Sequence, residues 1–327
     1  MKRRGTGKII AALAGTAVLI AAVSLLSCGG SSAPGVETRT PEAASLDSPA
    51  RITAAGAGTI AVTDFSRGRV VFVNTSTLEE VRHFTVPGNP LSVAVVANTT
   101  FVGIPERTEN GVLKGGNVNA FDMKGKYLYT LGSSANGYGA VKNPTDMAVD
   151  ESADRIFVLD SASYSVKAYM LNGTFVDEFV IPNPASWLHP MLSSLTLDTA
   201  GQFIYVGDGL IDFGSFSGAK TGVWKLDYLG NVDSQLMVSS LAAEYQFSRP
   251  MGLAFDIPGN LMVTDIIQNR VVVVNSSTWE GVRTFAPDTV AQGTNFVPAG
   301  IHVDAAGDVY VSEPRYGRLE TFRGEGL

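Results

Sequence analysis

One local pattern recurs along this chain and constrains its fold more than any other feature. A short run of apolar and β-branched residues is closed by an acid: IAVTD at Asp64, IFVLD at Asp160, IYVGD at Asp208, LMVTD at Asp265 and VYVSE at Glu313. Asp160 to Asp208 and Asp265 to Glu313 are each 48 residues, Asp64 to Asp160 is 96, and Asp208 to Asp265 is 57. A sixth unit falls in the gap near residue 104, where FVGI carries no acid. Recurrence at a fixed interval outranks any local assignment, because it means one supersecondary unit copied and stacked.

Residues 250–275 show the unit most clearly. An apolar run from Gly252 to Phe255 meets a turn of Pro258, Gly259 and Asn260; Leu261 to Thr264 follow, closed by Asp265; a loop ending in Asn269 and Arg270 leads to Val271–Val274. Runs of β-formers separated by Gly, Pro, Asn and Asp are the signal of strands and hairpins. Other units open alike, on Pro90, Pro144, Pro190 and Pro298. No segment sustains a 3.6-residue apolar period; residues 239–245 would form at most two helical turns. The chain is therefore all-β, and among sandwich, barrel and propeller the repeat selects the propeller.

In three units a basic residue stands five positions after the acid, Arg69, Arg270 and Arg318. With the Pro-x-Gly opening and the closing acid, this resembles the NHL repeat, over about residues 51–327. The resemblance implies a six-bladed β-propeller, with blades at about 51–89, 90–143, 144–189, 190–249, 250–297 and 298–327. Stacked central sheets account for strands such as Val70–Val73 and Val271–Val274, apolar on both faces. The repeated acid is expected to accept hydrogen bonds from the turn that follows it and to pair with the Arg, a structural role rather than a functional one. The last blade runs out after three strands, near Phe322, so residues 36–40 or those just after are expected to close it and cover an unpaired edge.

The N-terminus carries a different message. Lys2, Arg3, Arg4 and Lys8 precede an uncharged apolar run from Ile9 to Leu26, the signature of a secretory signal peptide. The run ends Leu25-Leu26-Ser27-Cys28-Gly29, which matches the bacterial lipobox, and Cys28 is the only cysteine. Residues 1–27 thus read as a lipoprotein signal peptide, 28–50 as a flexible tether rich in Gly, Ser, Ala and Pro, and 51–327 as the propeller. Acylation of Cys28 with several chains would anchor the protein in a membrane, at about 0.8 kcal/mol per buried methylene. The expected location is the bacterial cell envelope, the outer membrane in a Gram-negative cell.

Removing residues 1–27 takes away four cations and no acid, moving the net charge from −7 to −11. Such a surface, without a basic stretch, argues against nucleic acid. Loss of Cys28 to acylation leaves no thiol for disulfides, structural zinc or covalent haem.

Function is expected where the repeat is broken. Insertions at 105–117, with Glu106, Arg107 and Lys114, and at 209–221, with Asp212 and Phe213, both follow a second strand and should emerge on one face. Long connections at 133–143, with Tyr138, and at 183–190, with Trp187 and His189, add to them. Convergent chemistry is sparse. Propellers of the gluconolactonase and paraoxonase type hold a divalent cation on the axis with several oxygen ligands. The positions opening the inner strands here are Ser92, Asp146, Ser194, Gly252 and Gly300, which supply one carboxylate. Amidating-lyase-type propellers need three histidines around zinc; this chain has His83, His189 and His302, and His83 belongs to an outer strand. Asp146 and His302 are the weak catalytic candidates, both at the channel. No phosphate loop, Rossmann fingerprint or G-x-S-x-G is present. The sequence thus points to a non-catalytic binding or scaffold lipoprotein for a protein, peptide or polymer of the envelope, with no cofactor expected. The alternative is a metal-dependent hydrolase or lyase, lactonase-like or amidating-lyase-like, with a divalent cation in the central channel.

Overall fold

The computed structural model describes residues 38–39, 44–132, 139–182, 191–209, 221–288 and 295–324. They form six four-stranded antiparallel sheets plus one small hairpin. Blade one runs through Pro49–Ala54, Thr59–Asp64, Arg69–Asn74 and Glu80–Thr85, from inner to outer strand. Blade two holds Ser92–Val96, Thr99–Ile104, Asn117–Asp122 and Tyr127–Thr130; blade three holds Pro144–Asp150, Arg155–Asp160, Ser165–Met170 and Phe175–Val180. Blade four comprises Leu192–Asp198, Phe203–Asp208, Gly222–Asp227 and Val232–Met237, and blade five Pro250–Phe255, Asn260–Asp265, Arg270–Asn275 and Gly281–Phe285. Each inner strand packs against the next and the sixth against the first, so the sheets close into a ring.

Blade six has three strands from the C-terminal part, Ile301–Val303, Val309–Glu313 and Arg318–Phe322. Its fourth is Thr38–Arg39, antiparallel to the third with Thr38 opposite Phe322. The N-terminal segment therefore closes the ring, as the unpaired edge demanded. Closure also corrects the boundary at residue 51. Ala44 and Leu46 are buried with Leu78 and Leu319 between blades six and one, and Pro49 opens the first inner strand. The folded domain thus begins within the stretch read as tether.

Second and third strands are buried on both faces because a neighbouring blade covers each side. Val70–Val73 and Val271–Val274 are fully buried, and each such side chain contributes about 1.5–3 kcal/mol of burial free energy. Outer strands lack that cover on their rim and remain largely exposed, as Glu80–Thr85 does around buried Phe84. Residues 238–245 form two short 3-10 turns, Val238–Ser240 and Ala243–Tyr245.

The acid closing each second strand is buried, and its partners differ from those expected. Its donors are mainly the backbone of the segment entering the blade, 16 to 18 residues upstream, rather than the following turn: Ser48 N to Asp64, Asn143 N to Asp160, Met191 N to Asp208, Ser248 N to Asp265 and Val297 N to Glu313. Turn amides contribute less, as Ala162 N and Ile267 N do. The acid thus pins each inter-blade connection to the inner hairpin. Arg69 and Arg318 pair with Asp64 at 3.0 Å and Glu313 at 2.5 Å. Arg270 instead donates to the Gln246 carbonyl at 2.7 Å. In blade three Lys167 pairs with Asp160 at 3.0 Å, and in blade four Trp224 Nε1 donates to Asp208 at 3.2 Å.

The partners of Asp160 and Asp208 set their titration in opposite directions. Burial alone would raise Asp160, but the Asn143 amide and Lys167 hold it below the usual carboxylate range. Asp208 has no cation among the described residues, and burial pushes it up to about 6.

Candidate functional site: the loop face and the channel

The two faces of the disk are unequal. Inner strands begin, and second strands end, on the same face, which carries every inter-blade connection and every second-to-third loop. The opposite face carries only short turns, such as 55–58 and 256–259. We call them the loop face and the turn face.

At the loop-face end of the channel, the inner strands of blades one, three, four and five break register just after their first residue. A β-bulge re-aims side chains. In blade one the break spans Pro49 to Ile52, leaving Arg51 outside the ladder. Arg51 occupies the same position in its unit as Ser92, Asp146, Ser194, Gly252 and Gly300, yet it was not among the positions singled out from sequence. Alignment of Pro49-Ala50-Arg51 with Pro250-Met251-Gly252 would have shown it.

Arg51 spans the ring from blade one to blade three. Its Nε lies 3.2 Å from Asp146 Oδ2, with the two side chains only 8% and 11% exposed, and its other end donates to the Ser193 carbonyl in blade four. Asp146 also accepts from the Leu195 amide at 3.0 Å and from Met147 N at 2.9 Å. Burial raises the Asp146 pKa; Arg51 and the two amides oppose that.

Three of the other ring positions serve blade packing. Ser92 donates to the Pro144 carbonyl at 2.7 Å, joining blades two and three. A Cβ at Gly252 would collide with the Ala299 carbonyl, and one at Gly300 would lie 2.5 Å from the Ala50 carbonyl.

Below this ion pair the channel is a cavity of about 380 Å³, lined by inner-strand residues including Ala94, Val95, Met147, Leu195, Leu253 and His302, and reaching Thr199 on the turn face. His302 lies one pleat nearer the turn face than Gly300, on the blade opposite Asp146. Its ring stacks on Tyr310 at 6.3 Å, and burial depresses its pKa to about 4, which keeps it neutral at pH 7. Both candidates line one channel but at different levels, and the Asp146 carboxylate is already taken. An axial cation of the gluconolactonase and paraoxonase type does not fit: one committed carboxylate, two buried serines and two glycines offer no oxygen cage. Among the described residues no three His, Cys, Asp or Glu side chains gather as metal ligands. His83 sits on the outer strand of blade one, 2.5 Å from Glu80, far from the axis.

On the loop face the blade-two insertion forms a hairpin, Arg107–Glu109 with Val112–Lys114. Its base is pinned to the blade two–three connection: Glu106 N donates to the Lys142 carbonyl at 2.8 Å, and Gly116 lies so close to that carbonyl that no Cβ fits. Glu106, Lys114, Val112 and Leu113 are exposed, and Arg107 is half-buried beside Glu109. The blade-four insertion leaves after Asp208 and returns at Gly222, both on this face. Tyr138, Trp187, His189, Asp212, Phe213 and Cys28 lie outside the described residues.

No protein-family model matches the chain, and no curated protein matches its sequence. Solved structures similar to it include hydrazine synthase of Kuenenia stuttgartiensis, 15% identical with a TM-score of 0.58 over 86% of this chain and 78% of that one. Virginiamycin B lyase from Staphylococcus aureus is 14% identical with a TM-score of 0.54, over 90% and 86%. A streptogramin B lyase is 12% identical with a TM-score of 0.56, over 88% and 97%. At these identities the likeness shows the propeller fold alone, a fold that here includes enzymes.

Proposed function

We propose that this protein is an exported, lipid-anchored propeller of the NHL-repeat type that binds a protein, peptide or polymer of the bacterial cell envelope through its loop face, without catalysis and without a cofactor. The observation that carries this reading is the contrast between the two candidate regions. The channel's one carboxylate is neutralised internally by Arg51, whereas the breaks in the repeat open onto one face of a rigid ring. Broad, loop-bearing faces on rigid scaffolds suit multi-contact recognition. Cys28 carries the acyl anchor, and the acidic mature surface excludes nucleic acid.

A metal-dependent hydrolase or lyase fits less well, because Asp146 is paired with Arg51 and lies at a different level of the channel from His302. Two measurements test the proposal. Elemental analysis of the purified protein should find no stoichiometric divalent cation; one that chelation removes would favour the enzyme. Crosslinking on intact cells should recover a partner that is lost when residues 107–114 are replaced by a two-residue turn. Recovery unchanged by that replacement would remove the hairpin from the interface.

A further inference from the structure

The inner strands repeat one pattern level by level along the channel. Two residues inside the ring of Arg51 and Asp146 stand Thr53, Ala94, Ala148, Thr196, Ala254 and His302. Five of these are Ala or Thr, and blade six alone puts a titratable ring at this level. His302 is withdrawn from bulk water, lines the cavity and makes no hydrogen bond among the described residues. Neutral at pH 7, its imidazole keeps one nitrogen free to accept. The inner strands pair on one side only, so carbonyls on their axial edge also lack a ladder partner. Two residues further along, Asp150, Asp198, Asp256 and Asp304 flank the turn-face mouth, which exposed Thr199 marks. Turn amides hold three of these carboxylates: Ala153 N on Asp150 at 3.1 Å, Gly201 N on Asp198 at 2.9 Å and Ala306 N on Asp304 at 2.9 Å. Of the four, only Asp256 has a counter-ion among the described residues, Arg283 at 3.4 Å.

The geometry points to a channel site for a small organic cation with a primary ammonium group, entered from the turn face. The ammonium lies beside His302, and the carbon chain reaches Met147, Leu195 and Leu253 beneath Arg51. Carboxylates around the mouth draw in a cation and repel an anion. An ammonium needs only acceptors for its three donors, whereas a divalent metal needs an oxygen cage that the described residues do not form. The cavity, at about 380 Å³, lies in the range of roughly 300–1,000 Å³ usual for small-molecule sites. This site opens on the face opposite the loop-borne recognition proposed above and is independent of it.

The probe is n-butylamine, protonated at pH 7, with 1-butanol and butyrate as its neutral and anionic matches. The readout is the long-range proton–nitrogen correlation spectrum of the histidine rings in the full chain. The protein has three histidines, and the His302 signals are those missing from His302→Gln. Butylamine should shift them saturably, 1-butanol should bind at least about fivefold more weakly, and butyrate should leave them unmoved. Asp198→Asn keeps an acceptor for the Gly201 amide but removes a charge about 7 Å along the strand from Thr196. It should weaken butylamine at least about threefold and leave 1-butanol unchanged. An equal response to 1-butanol or butyrate, no response to butylamine, or an Asp198→Asn variant with unchanged affinity would each overturn the proposal.

Discussion

Replacing Arg51 with alanine should expose how strongly the channel depends on one ion pair. Its Nε lies 3.2 Å from Asp146 Oδ2 with both side chains about nine-tenths buried. At an effective dielectric of about 20, that separation corresponds to roughly 5 kcal/mol of attraction. Removing one partner of a buried pair typically costs about 3–5 kcal/mol, because the other charge is left uncompensated. Urea unfolding at pH 8 of the chain lacking residues 1–27 should therefore show Arg51→Ala destabilised by about 3–5 kcal/mol. The loss should shrink on acidification. Without Arg51 the burial that already raises the Asp146 pKa acts unopposed by the guanidinium, so the carboxyl takes up a proton as pH falls and the unpaired charge disappears. Arg51→Met combined with Asp146→Asn keeps an acceptor for the Leu195 amide and should recover much of the loss, a coupling of about 2 kcal/mol or more. A cost under about 1 kcal/mol for Arg51→Ala, or one independent of pH, would refute the reasoning.

Glu320, buried on the third strand of blade six beside Arg318 and Glu313, has its pKa pushed up to about 7, chiefly by burial. Its folded value lies above the unfolded one, so ionisation destabilises the fold as pH rises from about 4.5 through 7. Glu320→Gln should stabilise by about 2 kcal/mol at pH 8 and by nothing at pH 4, read by thermal unfolding at both. His302 titrates in the opposite sense: depressed to about 4, it withdraws stability as pH falls from 6.5 toward 4, and His302→Gln should flatten that fall. Deleting residues 28–43 removes the closing strand Thr38–Arg39 and exposes the edge of Arg318–Phe322. The midpoint of thermal unfolding should drop, and an unchanged midpoint would show that the edge needs no partner.

Blade count and order were legible because the stacking that the fold requires repeats in the residues themselves. Each sheet must bury its second and third strands, so Val70–Val73 and Val271–Val274 repeat the same apolar pattern. The closing strand was legible for a different reason: three strands ending at Phe322 leave an edge, and only the other terminus can cover it. Its extent was not, since Ala44 and Leu46 sit in a Gly- and Ser-rich stretch whose composition reads as tether. Alignment of the units could have put Arg51 at a channel position, but its partners could not be read, because they lie two and three blades further round the ring. Asp146 looked like a ligand in isolation and became a counter-ion only when ring closure brought the inner strands of blades one and three to the same end of the channel. The acids' donors were misplaced for the same reason, as they come from the previous connection instead of the adjacent turn. Five of the loop-face candidates fall outside the described residues, so for the site only the hairpin and the channel pair can be compared with expectation.

The acids and the insertions fall in a complementary pattern. In blades one, three and six a cation clamps the closing acid across the hairpin between second and third strands: Arg69, Lys167 and Arg318. In each of these the loop between the strands is short, at 65–68, 161–164 and 314–317. Blade five keeps the short loop 266–269, with Arg270 still close enough for Asp265 to favour its charged form. Blade two has Ile104 where the acid would stand, and blade four has Asp208 with no cation among the described residues, held by Trp224. Those are the two blades whose second-to-third connection opens into an insertion. A buried carboxylate with its cation on the next strand ties the two strand ends together, while in the two blades with insertions the ladder alone holds the same register, Ile104 opposite Asn117 and Asp208 opposite Gly222. Where the clamp is missing, a longer loop costs little more than the slow growth of closure entropy with length. The two interruptions of the repeat thus fall where the acid–cation pair is absent among the described residues, and both open onto the loop face of a nearly symmetric ring.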